Sequence, residues 1–372
     1  MDRPRVLHAY KVYHPDSFGG IPYVISQLLK VAPFEFNQRV IVCSEKYAGD
    51  YQVERVHSFG SVSSLPLAPS YPWRLYRALR NTDICILHAP FPLADLALAF
   101  FLPPEVKLIV YWHSDIIRQR FAAGILSPII RRVLDRADKI IVSNESLLVH
   151  SSYLHLYKSK CIVIPFPVDV AALGEIGNRK QADSIRRLHP NLIVACGRLV
   201  KYKGFDVLIQ AARSITAPIV IIGEGPERQR LQYLINAYSL GDRVRLVGAV
   251  TDEVRCAYLQ AASVFAFPSV SNAETFGIVQ LEAMAFGLPI INTALQTAVP
   301  AIARHGSEGI TIEPGNPALL AEALGLLITR PDLRASLGAS GRNRVERDFN
   351  FNLYSNAIKS VFMSVLGESV NV

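Results

Sequence analysis

Short apolar runs alternate with helical periodicities along the whole chain. In the first half the runs Val6–Tyr10, Arg39–Ser44, Ile84–His88, Leu108–His113, Ile140–Ser143 and Cys161–Pro165 are rich in β-branched residues. Near-continuous apolar runs of that kind predict strands buried on both faces. Helical spacing fits between them over Ile21–Val31, Pro72–Arg80, Pro128–Arg136 and Glu145–Leu156. The rhythm restarts with strands predicted at Leu192–Gly197, Ile219–Gly223, Val244–Gly248, Val264–Pro268 and Ile290–Thr293. Helices are predicted between these over Phe205–Ser214, Pro226–Ala237, Asp252–Ala261 and Phe276–Phe286. Three more helical patterns, Pro317–Ile328, Pro331–Arg347 and Asn352–Leu366, close the chain.

This alternation predicts repeated βαβ units, hence an α/β chain of two doubly wound domains with parallel sheets. Residues 171–190 are polar and charged and lack an apolar period, so they are expected to connect the domains. The expected division is 1–170, a connection over 171–190, 191–350, and a final helix within 351–372. Ligands of open α/β sheets sit at the carboxyl ends of strands, which places the expected site in a cleft between two facing domains.

Composition narrows the class. A length of 372 residues supports two to three domains, and 50% hydrophobic with 19% charged positions excludes a disordered chain. The 39 basic and 31 acidic residues leave +8, a charge that attracts phosphate on a nucleotide, a nucleic acid or a membrane. Up to position 170 there are 19 basic and 14 acidic residues, and beyond it 20 and 17. Five dispersed cysteines without a CxxC pair fit a reducing compartment. The opening MDRPRVLHAY lacks the charged-then-apolar order of a secretory signal, and the apolar stretch Phe91–Pro104 contains Asp95 and is too short to span a bilayer. A cytoplasmic protein is expected. The sequence holds no helix-turn-helix, RRM or zinc pattern, which argues against nucleic acid as a partner.

Four strand-end segments hold candidate chemistry. Gly19 and Gly20 precede a helix and serve either as a plain turn or as an anion seat on backbone N–H groups. Gly197-Arg198-Leu199-Val200-Lys201-Tyr202-Lys203-Gly204 follows a strand, and Arg198 with Lys203 offers a fork and a point charge to a diphosphate, or forms a solvated basic loop. In FPSVSNAETFGIVQLEAMAFGLPIINT, Glu274 precedes a helix that Thr275, Phe276 and Gly277 open, while Glu282 lies inside its apolar body. A buried carboxylate needs partners. No basic residue occurs between Arg255 and Arg304, so an ion pair local to Glu282 is not expected and sugar or ribose hydroxyls are favoured. His113 ends a strand in Tyr111-Trp112-His113-Ser114-Asp115, as His88 does in ILHAP, and either histidine could meet a hydroxyl or simply satisfy itself.

Taken together these segments resemble family 4 of the retaining glycosyltransferases, of the GT-B fold, over nearly the whole chain. The most specific element is Glu274 and Glu282 in ETFGIVQLEAMAFGLPII, preceded in order by GRLVKYKG, IIGEGPERQRL and VGAVTDEV. The resemblance implies two facing Rossmann-like domains with a C-terminal helix crossing back to the first. It implies a nucleotide-sugar donor held by the second domain. Arg198 and Lys203 would grip the diphosphate at the Gly197 turn, and Glu282 would accept the ribose hydroxyls. Glu274 would meet the transferred sugar, with Thr275, Phe276, Gly277 and Ile278 alongside. Gly248, Ala249 and Val250 would lie by the base, and Gly223, Glu224 and Gly225 by the ribose or base edge. Gly19 and Gly20 would approach the diphosphate, and His113 the donor sugar.

The resemblance further implies retention by same-face attack, without a metal or other cofactor; no Asp-x-Asp occurs in the chain. WHSDIIRQR with GIVQLEAMA is similar to bacterial surface-polysaccharide mannosyltransferases, so GDP-mannose is expected over UDP-sugars and a lipid-linked oligosaccharide as acceptor. Two basic regions, Trp73 to Arg80 and Arg118 to Lys139, are either solvated faces or contacts to an anionic membrane on the cytoplasmic side. An epimerase or phosphorylase of the same fold, or a non-catalytic nucleic-acid or sugar binder, are the competing readings.

Overall fold

The computed structural model describes residues 3–16, 19–46, 51–62, 65–115 and 120–368. It divides into two compact units, Met1–Phe166 with Asn352–Val372, and Pro167–Phe351.

The first unit is a seven-stranded parallel sheet. Its strands are β1 (Arg5–Ala9), β2 (Asn37–Ser44), β3 (Val53–His57), β6 (Ile84–Ala89), β7 (Lys107–Trp112), β8 (Lys139–Val142) and β9 (Cys161–Val163), in the order 3-2-1-6-7-8-9. A small antiparallel pair, β4 (Ser61–Val62) and β5 (Leu65–Pro66), lies between β3 and α2 in the chain. The connecting helices are α1 (Gly20–Leu28), α2 (Tyr71–Leu79), α3 (Pro92–Phe101), α4 (Arg120–Arg136) and α5 (Glu145–His150). Strands such as ICILHA and KLIVYW are buried along almost their whole length, which explains their unbroken apolar character. The strand order reverses between β1 and β6, so the carboxyl ends of these two strands flank the crevice that such sheets use for ligands.

The second unit is a six-stranded parallel sheet of order 12-11-10-13-14-15. It comprises β10 (Ile193–Cys196), β11 (Ile219–Ile222), β12 (Val244–Gly248), β13 (Val264–Ala266), β14 (Ile290–Thr293) and β15 (Gly309–Ile312). Its helices are α6 (Val170–Ile176), α7 (Arg179–Leu188), α8 (Phe205–Ala211), α9 (Arg228–Ala237), α10 (Asp252–Ala261), α11 (Ile278–Ala285), α12 (Val299–Ile302), α13 (Pro317–Thr329) and α14 (Pro331–Asp348). The reversal falls between β10 and β13. The last helix, α15 (Phe351–Leu366), packs in the first unit, where Phe362 meets Phe36 edge-to-face and Lys359 pairs with Glu35 at 2.7 Å.

The expected connection over 171–190 is instead helical and belongs to the second unit. Asp169 caps α6 through Ala172 N–H, and Asn178 caps α7 through Gln181 N–H. Arg186 of α7 donates to the Gln260 carbonyl on α10. The two helices bury only Leu173 and Ala182, a stripe too narrow to register as an apolar period.

Candidate active site

The second unit gathers its chemistry around the β10/β13 reversal. The chain leaves β10 at Cys196, makes a 3₁₀ turn over Lys201–Lys203, and enters α8 through Gly204. Gly204 has φ +66°, and a Cβ there would stand 2.0 Å from the Pro268 carbonyl oxygen beyond β13. This close approach requires glycine and brings the Lys203 loop against the β13 loop.

Lys203 is thereby buried, with Nζ 2.5 Å from Glu274 Oε2. Ser269 Oγ donates to the same carboxylate oxygen at 3.2 Å, and the Ser269 carbonyl accepts from Thr293 Oγ1 at 2.6 Å. The ammonium also lies 4.9 Å over the Phe267 ring. Burial opposes the charge on Lys203, but Glu274 outweighs it and holds the lysine above its ordinary pKa. Lys203 is therefore a cation at neutral pH with one of its three N–H donors spent on Glu274. Arg198, expected to act beside it, is exposed, and its side chain has no polar partner among the described residues.

Glu282 sits in α11 and is buried. Here the sequence expectation is corrected: Glu282 does have an ion-pair partner, Arg255 of α10, whose Nη1 donates to Glu282 Oε2. Arg255 also holds Asp252 Oδ1 at 2.9 Å. The pair lies 27 residues apart, on the helices that follow β12 and β13, so a search for bases downstream of Arg255 could not find it. Burial raises the Glu282 carboxyl above the usual glutamate value, and Arg255 offsets part of that rise. Cys196, in the same surroundings, is pushed up to about 12 by burial and then by Glu282.

The remaining second-unit candidates line neighbouring strand ends. Gly223 has φ +139°, and a Cβ there would stand 2.0 Å from the Gly197 carbonyl oxygen, so the turns after β10 and β11 touch backbone to backbone. Leu199 N–H donates to the Glu224 carbonyl, and Gly223 N–H to the Gly248 carbonyl, each at 2.8 Å. Glu224 turns its carboxylate to Arg228, 2.7 Å away at the surface. Gly225 lies against Leu199, and Ala249 and Val250 follow β12 in exposed and half-buried positions. The Thr275 carbonyl accepts from Ala298 N–H, Phe276 is buried, Gly277 precedes α11, and Ile278 opens that helix.

In the first unit Gly19 and Gly20 begin α1 and are exposed; Gly19 is extended, and a Cβ there would meet nothing, so neither space nor strain demands glycine at that position. Ser17 and Phe18 of the same segment lie outside the described residues. His113 follows β7, is 5% exposed, and is hydrogen-bonded to His88 at 3.0 Å. His8, on β1, completes this buried group and was not singled out by any local pattern.

The basic regions do mixed work. Arg132 donates to the Ala99 carbonyl in the last turn of α3, and Arg136 to the Pro103, Pro104 and Val106 carbonyls of the segment that leads on to β7. Trp73, Phe100 and Phe101 are more than half exposed, with Arg77 over the Trp73 ring and Arg132 over the Phe100 ring. Arg118 and the Arg120 side chain lie outside the described residues. Among the described residues no helix is long and apolar enough to cross a membrane.

Two doubly wound units with charged, strand-end clusters define a GT-B protein, and comparison with known proteins gives the family. Residues 178–344 match the model described as "Glycosyl transferases group 1", and residues 19–172 match "Glycosyltransferase Family 4". The chain is 29% identical to D-rhamnosyltransferase WbpZ of Pseudomonas aeruginosa, over 93% of this chain and 92% of that protein. It is 28% identical to O-antigen chain mannosyltransferase C of Escherichia coli, over 97% and 99%. In fold it is similar to Anabaena HepE, whose crystal structure contains UDP, at 17% identity with a TM-score of 0.78 over 97% of this chain and 100% of that one. The chain belongs to the family 4 glycosyltransferases.

Proposed function

We propose that this glycosyltransferase moves a hexose, mannose by preference, from GDP-mannose to a lipid-linked oligosaccharide, with retention and without a metal ion. The observation that carries this reading is the Lys203–Glu274 pair at the strand reversal, a buried cation and carboxylate on adjoining loops. Lys203 turns its two unspent donors, and Arg198 its fork, to the diphosphate oxygens, and both stabilise the charge that develops on the leaving group. Glu274 has Oε2 occupied, so Oε1 accepts a hydroxyl of the transferred sugar. Glu282, with Oε2 held by Arg255, offers Oε1 to the ribose. The acceptor hydroxyl oxygen bonds to the anomeric carbon as the bond from that carbon to phosphate breaks. Its proton passes to the departing phosphate oxygen on the same face, so no second carboxylate at glycosidase spacing is required.

The preference for mannose draws on the relatives named for that sugar. Contact with an anionic membrane on the cytoplasmic side is favoured by the exposed Trp73, Phe100 and Phe101 beside Arg77 and Arg132.

Thermal unfolding with nucleoside diphosphates tests the site. GDP at about 100 times its Kd should add about 2.7 kcal/mol, and Lys203→Ala or Glu282→Ala should abolish the gain. Absence of any shift with GDP, UDP or ADP refutes the reading. With GDP-mannose, acceptor-dependent product of retained configuration that survives EDTA separates transfer from epimerisation, which requires no acceptor.

A further inference from the structure

Three histidines cross the first sheet in single file. His8 on β1, His88 on β6 and His113 after β7 lie on one face, because each stands two residues beyond the register position of the one before. His8 pairs in register with Ile86 and His88 with Tyr111, so each next ring is the same-face diagonal neighbour. His8 Nδ1 is 3.3 Å from His88 Nε2, and His88 Nδ1 is 3.0 Å from His113 Nε2. The other nitrogen of His8 is 2.9 Å from Gln38 Oε1.

The file has a fixed end. Gln38 Nε2 donates to the carbonyls of Leu28 at 2.9 Å and Val31 at 2.8 Å, which spends both amide hydrogens and settles which atom is oxygen. Oε1 must then accept, so His8 carries its proton on Nε2. A neutral imidazole has one donor and one acceptor, so His8 Nδ1 accepts from His88 Nε2–H. By the same step His88 Nδ1 accepts from His113 Nε2–H. The remaining nitrogen, His113 Nδ1, is left with a lone pair. His8 and His88 are fully buried and His113 nearly so, and burial lowers all three below the ordinary histidine pKa. The rings are therefore neutral at neutral pH. An amide neither takes up nor releases a proton there, so the file cannot conduct protons through to Gln38. It can only hold one orientation.

We infer that Gln38, His8 and His88 are positioning residues that lock His113 in its Nε2–H tautomer, so that it meets the substrate as a hydrogen-bond acceptor for a sugar hydroxyl and not as a donor to phosphate. The substrate part of this inference rests on the glycosyltransferase reading above; the lock does not. An imidazole free to choose its tautomer could serve either partner. A locked one discriminates, because a phosphate oxygen has no hydrogen to give to Nδ1.

The test is a long-range proton–nitrogen NMR spectrum of the full chain labelled with ¹⁵N-histidine, at neutral pH and without ligand, His113 being assigned from the resonances lost in His113→Asn. The expected spectrum shows His113 Nε2 protonated and Nδ1 unprotonated. A protonated or exchange-averaged Nδ1 overturns the lock, and this holds whether or not any variant folds. Gln38→Met removes the anchor. It should turn His113 into a tautomer mixture and weaken GDP-mannose binding by up to about tenfold, the value of one hydrogen bond, while the Kd for GDP is unchanged. A Gln38→Met chain that keeps the wild-type His113 signals overturns the relay, and equal weakening for GDP and GDP-mannose overturns the hydroxyl assignment. A wild-type chain that binds no nucleotide would count against the Lys203 and Glu282 reading and leave the tautomer result standing.

Discussion

Replacing Arg255 by leucine separates the structural role of Glu282 from the ribose contact proposed for it. Its carboxylate is held by Arg255, and both side chains are largely buried, with 10% and 18% of their surface exposed. The companion bond from Arg255 reaches Asp252, which is 68% exposed and contributes little in water. Arg255→Leu therefore strands a buried carboxylate among Leu281, Ala283 and Met284, at a cost of about 3–5 kcal/mol. The cost depends on pH. Without the guanidinium, burial and then the Asp252 charge act on Glu282 and raise its folded pKa further above the unfolded value. The folded variant then binds more protons than the unfolded chain, so its deficit shrinks as pH falls through that raised pKa. Arg255→Leu with Glu282→Leu removes both charges and should return most of the lost stability, but without nucleoside diphosphate binding. Hydrogen exchange of second-unit amides is the assay, because the two tryptophans, Trp73 and Trp112, lie in the first unit and report only on it. A single-mutant cost below about 1 kcal/mol would refute the structural role, which needs more than a typical surface change. Wild-type affinity for GDP in the double mutant would refute the ribose role.

Two further outcomes follow from the first unit. His8 and His113 are lowered by burial to about 4 and about 3, and His88 lies well below its ordinary value, whereas unfolded histidine titrates near 6.5. Below about pH 6.5 the unfolded chain binds the extra protons, so tryptophan-monitored stability should fall with pH, at up to about 4 kcal/mol per pH unit if all three titrate; a flat profile from about pH 6.5 to 5 would refute the neutral file. In the membrane reading, the chain should co-sediment with phosphatidylglycerol vesicles and release in high salt, and Trp73→Ser with Phe100→Ser should reduce binding severalfold; binding that ignores both changes would reject that face.

Much of this architecture is written locally. Parallel strands buried on both faces leave unbroken apolar runs, so β1, β2, β6, β7, β10, β11, β13 and β14 emerge within a few residues of their observed ends. β3 does not: VERVH is an edge strand that buries only Val53 and Val56, so its run is broken by charge. α3 reads as a short apolar stretch, because Ala94, Asp95, Ala97, Leu98 and Ala99 sink its buried side while Phe100 and Phe101 are exposed apolar residues. Lys203, Glu274 and Glu282 are visible as charged residues at strand ends or inside an apolar helix. The pairing of Lys203 with Glu274, that of Arg255 with Glu282, and the Gln38–His8–His88 file are set by which strands stand side by side, and no window of sequence contains that register.

The charge bookkeeping of the second unit also alters what the +8 excess means. In the ligand-free chain Lys203 is matched by Glu274 and Arg255 by Glu282, so two of the most deeply placed cations contribute no net field. Beside them Arg198 has no polar partner among the described residues. In the proposed reading, a diphosphate at this site meets local dipoles, spare N–H donors and the Arg198 guanidinium, and its affinity comes mainly from short hydrogen bonds. Such bonds depend weakly on salt at contact distance, whereas a field summed over many surface cations is screened beyond about 8–10 Å. The first unit differs at its own reversal point: β1 and β6 carry the hydrogen-bonded rings of His8 and His88, which in the inferred relay point one way. Fixed charge suits a group that departs as an anion, and fixed tautomers suit hydroxyls, which must be told apart without a charge to grasp.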